Sequence, residues 1–464
     1  MPAVSTATTP PGPKHLPFIG ALPQFRRMAP SYLEQIAHEY GDIVFVRVGR
    51  QRIFFLNHPD LIRDVLVTHQ TKFKKSRILE KARIILGDGL LTSEGAFHRQ
   101  QRRLVQPAFY RDRLVGYGKT MTACASSATD RWQPGQELDM SIEMAHLTLN
   151  IVSRTLFSTG IEGQIEQVMQ AMEEVLGVFD MILTPFSDLL EKLPLPKVRR
   201  FYQAREQLDQ IIYRIINERR ASGEDTGDLL SMLLLAQNED EAGEREMANH
   251  HRRMTDTQVR DEALTLFVAG HETTANLMTW TWYLLSQNPE VETRLHAELA
   301  EVLSGRPPEF VDLPNLPFTD AVIAESLRLY PPGWAIGRRA LEDYPVRDTA
   351  GNEYVVPARA VVLVSQWVTH RDPRWFPDPL AFRPERWLDA EFTAGLPKFA
   401  YFPFGGGTRV CIGERFARME AVLILATIAQ RWRFHTVPGF TPEPRAIITL
   451  RTRDGMRMLA EPRA

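Results

Sequence analysis

Residues 404–413 read FGGGTRVCIG and contain Cys411, one of only two cysteines in a chain of 464 residues. Three consecutive glycines precede the cysteine, so the backbone there can adopt positive φ angles and lie close to a flat surface. Apolar residues with helical spacing follow the stretch and predict a helix that begins just after Cys411. A helix N-terminus favours a thiolate over a thiol. With Arg409 nearby, the loop suits a sulfur ligand to an anionic, planar metal cofactor.

Three other interpretations compete for this stretch. Cys411 can be a small buried hydrophobe beside a glycine-rich turn. The glycines can open a dinucleotide fingerprint, but Val410 stands at the third glycine position and no strand-like run leads directly into the loop. A phosphate-binding loop needs a Gly-Lys-Ser/Thr ending, which is absent here. The dinucleotide-binding and phosphate-binding interpretations are therefore dismissed. The choice between a metal ligand and a buried cysteine depends on whether companion motifs occur elsewhere in the chain.

The stretch resembles the haem-binding signature of the cytochrome P450 family at each of its fixed positions, which are Phe404, Gly407, Arg409, Cys411 and Gly413. The resemblance implies a mainly α fold with smaller β-sheet regions. It implies one domain over residues 1–464, with an extended, loose lead at about 1–17. It also implies that Cys411 is the metal ligand of a haem b, and that Phe404, Arg409 and Gly413 help to hold this cofactor.

Composition indicates a large globular protein with no nucleic-acid partner. Hydrophobic residues make up 44% of the chain and charged residues 24%, and the formal net charge is −2. Two cysteines in so long a chain argue against a disulfide framework and fit a reducing cytoplasm. The sequence has no apolar window of about 18 residues and no signal-peptide pattern, so it predicts no transmembrane anchor. In this respect the chain resembles the soluble, bacterial-type members of the family.

Hydrophobic periodicity predicts both strands and helices. Two β-rich runs at 43–48 and 53–56 flank a short turn. Residues 73–95 look loop-like with apolar islands, and the equivalent loop of the family roofs the substrate pocket. Residues 164–220 predict two helices that are interrupted by prolines. The apolar part at 175–195 resembles the family's mobile lid, with ordinary helix packing as an equally acceptable interpretation.

A basic pair forms the second motif. His98 and Arg102 are four residues apart and share one face of a predicted helix. Both can donate to an anion when His98 presents an N–H. Such a pair is usually solvated, but here it precedes the sequence PAF and resembles the family motif that binds the haem propionates. The resemblance makes Arg338 a further propionate partner, although the adjacent Arg339 is an alternative.

The longest predicted helix begins at a capping box on Thr255 and ends near Gln287. Its middle reads AGHETT, residues 269–274, and combines a glycine, a carboxylate and two threonines that weaken a buried helix. The pattern indicates a groove at mid-helix and resembles the family's acid–alcohol pair, with Glu272 as the acid and Thr273 as the alcohol. The second histidine of a zinc-binding HExxH motif is missing.

A Glu-x-x-Arg pattern at Glu325 and Arg328 lies in another predicted helix. The pattern alone is weak, because Glu80 and Arg83 show it as well. Its position upstream of PERW, which contains Arg386, resembles the family's buried Glu–Arg pair with a third arginine. We interpret these residues as structural supports of the haem side of the fold.

Candidates for the wall of the substrate pocket come from two segments, one in the long helix and one after the helix of Glu325. They are Phe267, Ala269, Trp334, Ala335 and Ile336.

The resemblance implies a haem-thiolate monooxygenase that inserts one oxygen atom of O2 into a hydrophobic molecule such as a fatty acid, terpenoid or steroid. Too few residues follow Cys411 for a reductase domain, so electrons are expected from a separate ferredoxin or flavodoxin and its reductase. Exposed arginines near the cysteine, with Arg99, Arg103, Arg415 and Arg418 as candidates, suit an acidic partner.

Two alternatives stay open. One is a haem-thiolate peroxygenase or isomerase, but fatty-acid peroxygenases usually carry an arginine in place of the acid–alcohol pair. The other is a haem-binding sensor without turnover, against which the intact pair also argues. Glu272 and Thr273 therefore favour chemistry with dioxygen.

Overall fold

The computed structural model describes residues 9–14, 16–158, 162–177, 195–238 and 254–463. Most of the stretch predicted to be a lid, residues 178–194, lies outside these ranges. Helices dominate the described part, which confirms the predicted mainly α class with smaller sheets. The α-helices are α1 Leu22–Tyr40, α2 Pro59–Arg63, α3 Arg77–Leu86, α4 Gly95–Val105, α5 Arg111–Thr129, α6 Met140–Leu156, α7 Ile165–Gly177, α8 Pro196–Ser222, α9 Leu229–Asn238, α10 Asp256–Gln287, α11 Pro289–Leu303, α12 Pro317–Leu329, α13 Gln366–Thr369, α14 Ala390–Gly395 and α15 Glu414–Ala429.

The strands of the described residues form four small sheets. They are β1 Ile43–Val48, β2 Gln51–Leu56, β3 Phe73–Lys75, β4 Glu137–Asp139, β5 Ile336–Ala340, β6 Tyr344–Arg347, β7 Glu353–Val356, β8 Val361–Val364, β9 Trp432–Thr436, β10 Pro444–Ala446, β11 Leu450–Thr452 and β12 Arg457–Pro462. The largest sheet has five strands in the order β1-β2-β8-β5-β3, and a second has the order β4-β12-β9. Two hairpin-like pairs, β6-β7 and β10-β11, complete the set.

The first predicted strand pair is confirmed, except that β2 begins two residues earlier, at Gln51, which was assigned to the turn. Strands β1 and β2 pair antiparallel, with Ile43 opposite Leu56 and Val48 opposite Gln51. The segment between Phe73 and Gly95 was predicted to be loop-like, and this prediction is wrong. It contains β3 and helix α3, whose apolar residues at 78, 79, 82, 85 and 86 follow a helical period and turn Ala82, Ile85 and Leu86 into the core.

Helix α10 crosses the core of the fold. It runs from the predicted capping box, in which Thr255 and Gln258 cap each other, through 32 residues to Gln287. It packs against α6, α8, α12 and α15. A helix surrounded in this way is apolar on most of its circumference, and its polar mid-section stands out for that reason.

Helix α15 fixes the position of the cysteine loop. Gly413 is the residue before its first turn, and Cys411 lies two residues earlier. The helix is buried from Met419 to Ala429 and packs on α5, α10 and α12. The loop is thus carried on a rigid element that is held by the same core as the long helix.

Among the described residues, none of the helices combines the length and the apolar character that crossing a bilayer requires.

Candidate active site

The loop before Cys411 is shaped by two glycines with left-handed backbone angles. Gly405 has φ 76° and Gly407 has φ 71°. A Cβ atom at Gly407 would lie 2.0 Å from the carbonyl oxygen of Leu66, so only glycine fits there. The Cys411 N–H donates to the carbonyl of Phe404 over 3.0 Å and closes the loop. Phe404 itself packs against the main core, so both ends of the loop are held.

Cys411 has an accessible side chain and yet lies deep among protein atoms. Both properties occur together when a residue lines a space enclosed by the protein. Burial is the largest influence on the thiol and raises its pKa, while a hydrogen bond from the Gly413 N–H and the charge of Arg102 lower it. The helix N-terminus and the nearby cation favour the thiolate, as expected from the sequence, but burial outweighs both effects. A thiolate here depends on a cation bound at the sulfur.

Cys411 has no companion among metal-binding side chains in the described ranges. No group of three or more His, Cys, Asp or Glu side chains that could hold a metal ion occurs there. A lone sulfur ligand fits a metal that brings its other ligands with it, as a porphyrin does.

Cationic side chains gather beside the cysteine loop and repel one another. Lys75 is buried, and desolvation together with the charges of Arg409 and Arg338 lowers its pKa to about 7. Burial and the charge of Arg409 lower the pKa of Arg338 to about 10. Glu94 forms an ion pair with Arg409 and offsets part of this positive charge. The remaining cation excess suits an anionic group, such as the carboxylates of a haem.

His98 supplies a neutral donor to the same region. It is 5% exposed, and burial together with the charges of Lys75 and Arg409 lowers its pKa to about 4. Its Nδ1 lies 3.3 Å from the Ser93 hydroxyl. Within the described residues its buried Nε2 has no partner of full hydrogen-bond geometry, and a weaker backbone interaction with Thr408 acts to raise the pKa of the ring. A buried nitrogen without a partner is costly, so a bound acceptor at this position explains it.

Arg102 reaches the cysteine loop directly. Its Nη1 donates to the carbonyl oxygen of Val410 over 2.8 Å, and its charge acts on Cys411. The structure thus brings His98 and Arg102 together with Arg409 and Cys411, which lie more than 300 positions further along the chain. These residues fit a thiolate-bound haem.

Replacement of Arg102 by alanine is expected to weaken haem retention, because it removes a cation and a hydrogen bond to the loop that carries the ligand. The measurement is the haem-to-protein ratio after purification and after dialysis at increasing salt. Arg103→Ala is the matched control, since that neighbour is exposed. Full haem occupancy in both variants under all conditions would contradict the assignment of Arg102.

The side chains of Arg338 and Arg339 point to opposite faces of β5, as alternation in a strand requires. Arg339 forms an ion pair with Glu80 on α3. Arg338 pairs in register with Lys75 and lies within the field of Arg409 and Glu94. Of the two alternatives that the sequence left open, Arg338 is therefore the one that faces the cation cluster.

One face of α10 opens onto an accessible space at mid-helix. Within residues 259–282 the partly exposed positions are 268–270, Thr273 and Asn276, whereas their neighbours are buried. Ala269, Thr273 and Asn276 follow the i, i+4, i+7 spacing of a single helix face. The Thr273 hydroxyl donates to the carbonyl of Ala269 over 2.9 Å, so its lone pairs stay available as acceptors.

Glu272 is buried and engaged in an ion pair. Its Oε1 accepts from the Nε of Arg451 over 2.8 Å and from the Thr449 hydroxyl. Both partners come from the β10–β11 region close to the C-terminal end of the chain. The neighbouring His271 is also buried, and burial lowers its pKa to about 4, so it is a neutral packing residue.

Two of the five pocket candidates pack into the core instead. Phe267 is 1% exposed and stacks edge-on against Phe157, because its position on α10 faces α6. Trp334 belongs to the core around the first sheet, and its Nε1 donates to the carbonyl of Ile447. Ala335 is partly buried against the same core.

The other two candidates lie at accessible positions. Ile336 is partly buried, and its Cδ1 would lie 3.5 Å from a Cβ at Gly405, so it faces the cysteine loop. Ala269 lies on the open face of α10.

Glu325, Arg328 and Arg386 meet in a buried ion network. Arg328 donates to both oxygens of Glu325 over 2.8 Å, and Arg386 Nε donates to Oε1 over 3.0 Å. The Arg328 guanidinium also donates to the carbonyls of His370, Pro379 and Ala381. The network joins α12 to the loops that lead to the cysteine.

Glu420 is a buried carboxyl group on α15. It is fully buried, and burial raises its pKa to about 8, which the nearby Thr274 hydroxyl offsets only in part. In the part of the chain that the structure describes, neither oxygen has a partner of hydrogen-bond geometry. The group is therefore a protonated acid at neutral pH.

Replacement of Glu420 by glutamine is expected to flatten the pH dependence of stability. Between its ordinary pKa of 4.5 and about 8, the folded protein holds a proton that the unfolded chain has lost. The free energy of unfolding therefore falls as pH rises through this window, by about 1.4 kcal/mol per pH unit from this group. Urea unfolding of wild type and variant at pH 5, 6.5 and 8 measures the difference. The exposed Glu443→Gln is the control, and equal slopes would contradict the burial argument.

Several residues of the site were not found from the sequence. Lys75, Glu94, Thr449 and Arg451 have no motif of their own, and their partners are far away along the chain. For Lys75 and Glu94, a weak signal was proximity to the predicted basic pair at His98.

A mainly helical fold with a lone cysteine on the wall of an enclosed space, and cations beside it, defines a haem-thiolate protein. The cytochrome P450 model matches residues 10–454, and the chain belongs to the cytochrome P450 family. The family implies a thiolate-bound haem and the use of dioxygen.

Curated relatives include two proteins from Streptomyces melanosporofaciens. Cyclooctatin synthase is 40% identical over 91% of this chain and 89% of its own length. Cyclooctat-9-en-7-ol 5-monooxygenase is 40% identical over 94% of this chain and 91% of its own. Pentalenene oxygenase from Streptomyces avermitilis is 35% identical over 94% of both chains. With relatives of this similarity, the protein is a cytochrome P450 monooxygenase.

A solved structure supports the fold. The retinoic acid bound cyanobacterial CYP120A1 superposes with a TM-score of 0.85 over 99% of this chain and all of that chain, at 24% identity.

Proposed function

We propose that this monooxygenase inserts oxygen into a polycyclic terpenoid. Three relatives of 35–40% identity carry names that refer to cyclooctatin, cyclooctat-9-en-7-ol and pentalenene, which narrows the sequence-based choice of fatty acid, terpenoid or steroid. The observation that carries the proposal is the open face of α10 at Ala269 and Thr273, together with the cysteine that lines an enclosed space. An apolar wall around a few polar groups suits a hydrophobic substrate.

In this proposal each residue of the site has a role that its position supports. Cys411 would hold the iron of a haem b, and His98, Arg102, Arg338 and Arg409 would bind its carboxylates. The bound haem supplies the activation of dioxygen. Glu272 and Thr273 would deliver two protons to the dioxygen side. The Thr273 hydroxyl, which donates a hydrogen bond to the Ala269 carbonyl, accepts and passes on these protons. Each turnover consumes one substrate C–H bond, one O2, two electrons and two protons, and it produces one alcohol and one water.

Electrons come, in this proposal, from a separate ferredoxin or flavodoxin with its reductase, in the cytoplasm. Arg99, Arg103 and Arg415 are exposed. Arg99 and Arg103 lie on α4, whose Arg102 contacts the loop of Cys411, and Arg415 lies in the first turn of α15. Arg418 is less suited, since it forms an ion pair with Asp320 over 2.6 Å. An acidic partner surface complements the exposed arginines.

The proposal is tested with purified protein, a surrogate ferredoxin and reductase, NADPH and cyclooctat-9-en-7-ol or pentalenene as probes. Hydroxylated product that incorporates one atom of ¹⁸O2 is the expected result. Product from hydrogen peroxide alone, with none from the ferredoxin system, favours the peroxygenase alternative. A bound probe without either product favours the sensor.

Replacement of Thr273 by alanine is expected to uncouple electron use from product formation, because the acceptor hydroxyl on the open face of α10 is lost. NADPH consumption continues, while product per NADPH falls by about tenfold and hydrogen peroxide rises. Thr279→Ala on the same helix is the control, since its buried hydroxyl donates to Ala275 away from the open face. Unchanged coupling in Thr273→Ala would remove the proton-delivery role.

A further inference from the structure

The carboxylate of Glu272 is held through one oxygen. The Nε and Nη2 of Arg451 lie 2.8 and 2.6 Å from Oε1, and the Thr449 hydroxyl donates to the same atom. The Glu272 side chain is 8% exposed. Two hydrogen bonds and an ion-pair contact on one buried oxygen restrain both its position and its orientation. We call Glu272, Thr449 and Arg451 the Glu272 cluster.

The two partners of Glu272 are themselves held in place. The Leu450 N–H, between them in the chain, donates to the carbonyl of Pro332 over 2.9 Å. The Asn276 Nδ2 donates a hydrogen bond to the Thr449 hydroxyl over 3.4 Å, and this hydroxyl in turn donates a hydrogen bond to Glu272. Asn276 lies on the open face of α10 with Thr273. The cluster thus links the acid to the accessible side of the helix.

The arrangement divides the two oxygens of Glu272 between different tasks. All hydrogen bonds to this carboxylate from the described residues end on Oε1, so Oε2 is the oxygen left to exchange a proton. The Arg451 side chain is 31% exposed and ion-paired with the buried acid, so it is in contact with both solvent and Glu272. The cluster therefore extends from the surface to the middle of α10.

We propose that Thr449 and Arg451 are positioning residues for proton delivery, because they fix Oε1 of Glu272 and leave Oε2 to carry the proton. This inference rests on the proposed function, in which Glu272 is the acid. Oε2 takes up each proton from the bulk solvent and then releases it to the Thr273 side, so the group returns to the carboxylate that is ion-paired with Arg451. The cluster forms no bond to substrate or cofactor.

The competing explanation is a tether that only joins β11 to α10. A tether predicts that loss of Arg451 affects stability and all forms of turnover alike. A positioning role predicts a selective effect on the steps that need protons from the protein. Peroxide-driven turnover separates these explanations, since peroxide brings its own protons and electrons.

The experiment uses the haem-loaded variants Arg451→Gln, Arg451→Lys and Thr449→Val with the surrogate ferredoxin system and cyclooctat-9-en-7-ol as the probe. Arg453→Gln is the matched control, because Arg453 lies two residues further on and pairs at the surface with Glu443 over 2.7 Å. Product per NADPH, KM for the probe, and peroxide-driven product are measured for each variant. The crystal structure of Arg451→Gln provides a readout that does not depend on activity.

The expected results are selective. In Arg451→Gln, product per NADPH falls by about tenfold, while KM and peroxide-driven product stay within about twofold of wild type. Arg451→Lys restores part of the loss, because one donor to Oε1 returns. In a Glu272→Gln background the Arg451→Gln change has no further effect on coupling, since residues that act through one group are not additive. The crystal structure shows the Glu272 carboxylate moved from its wild-type position.

Three outcomes overturn the inference. They are unchanged coupling in Arg451→Gln, an equal loss of ferredoxin-driven and peroxide-driven product, and an unmoved Glu272 in the crystal structure. If the proposed function itself is wrong, the wild-type protein makes no product from the probe with ferredoxin. This result differs from the three outcomes that overturn the positioning role. In that case the crystal structure of Arg451→Gln still decides whether Arg451 positions Glu272.

Discussion

Replacement of Cys411 by alanine is expected to abolish the red-shifted band of the ferrous–carbon monoxide complex and all dioxygen-dependent turnover. Within the described residues no second His, Cys, Asp or Glu cluster can take over the metal. The loop itself keeps its shape, because its glycine conformations and the bond from residue 411 N–H to Phe404 do not depend on sulfur. The loss is therefore one of ligation and not of folding. Absorption spectra of the reduced, carbon monoxide-treated variant are the measurement.

The matched control is Cys124→Ala, which removes the other sulfur of the chain. Cys124 is 6% exposed in the core on α5, where truncation to alanine removes only one sulfur atom. This variant is expected to keep the red-shifted band and turnover. The same band in Cys411→Ala as in wild type would exclude Cys411 as the ligand, and the proposed function would fall with it.

Replacement of Arg328 by alanine is expected to cost about 3–5 kcal/mol of unfolding free energy, because it leaves the Glu325 carboxylate buried without its main partner. Both side chains are 0% exposed. The change also removes donors to the carbonyls of His370, Pro379 and Ala381. No other proposed substitution is expected to reduce stability as much. Urea unfolding monitored by circular dichroism measures the loss of unfolding free energy. A variant too unstable to be expressed as folded protein also agrees with this expectation.

Arg83→Ala is the control with the same local sequence pattern. Glu80 and Arg83 also have Glu-x-x-Arg spacing, but Arg83 pairs with Asp88 and Glu80 with Arg339, at the surface. An exposed pair contributes about 0–1 kcal/mol, so this variant is expected to stay near wild type. If Arg328→Ala and Arg83→Ala differ by less than about 1 kcal/mol, the buried network does not support the fold as its geometry indicates.

The features that were readable in the sequence are those with a local pattern. The loop of Cys411, the strand pair β1–β2 and the full length of α10 each follow from spacing, caps and glycines within one segment. The wrong prediction for residues 73–95 has a local cause as well. Short apolar islands beside charges were interpreted as a loop, although their 3–4 spacing fits the single amphipathic helix α3.

The features that were not readable depend on partners far apart in the chain. Glu272 meets Arg451 across 179 positions, and Arg409 meets Glu94 across 315. Neither contact has a sequence pattern, since charged residues are common and most are solvated. The same holds for the pocket candidates, where Phe267 and Ala269 are two positions apart but lie on different faces of α10.

The loop of Cys411, the family and the proposed acid and alcohol follow from the amino-acid sequence alone, because each depends on a short run of side chains with fixed spacing. Packing was needed to show that Arg338 and not Arg339 faces the cation cluster, since that choice depends on the face of β5 that the sheet turns inward. Packing also raises the pKa of the Cys411 thiol and brings Arg451 to Glu272. Burial and charge proximity set these properties, and both exist only once distant segments have packed together.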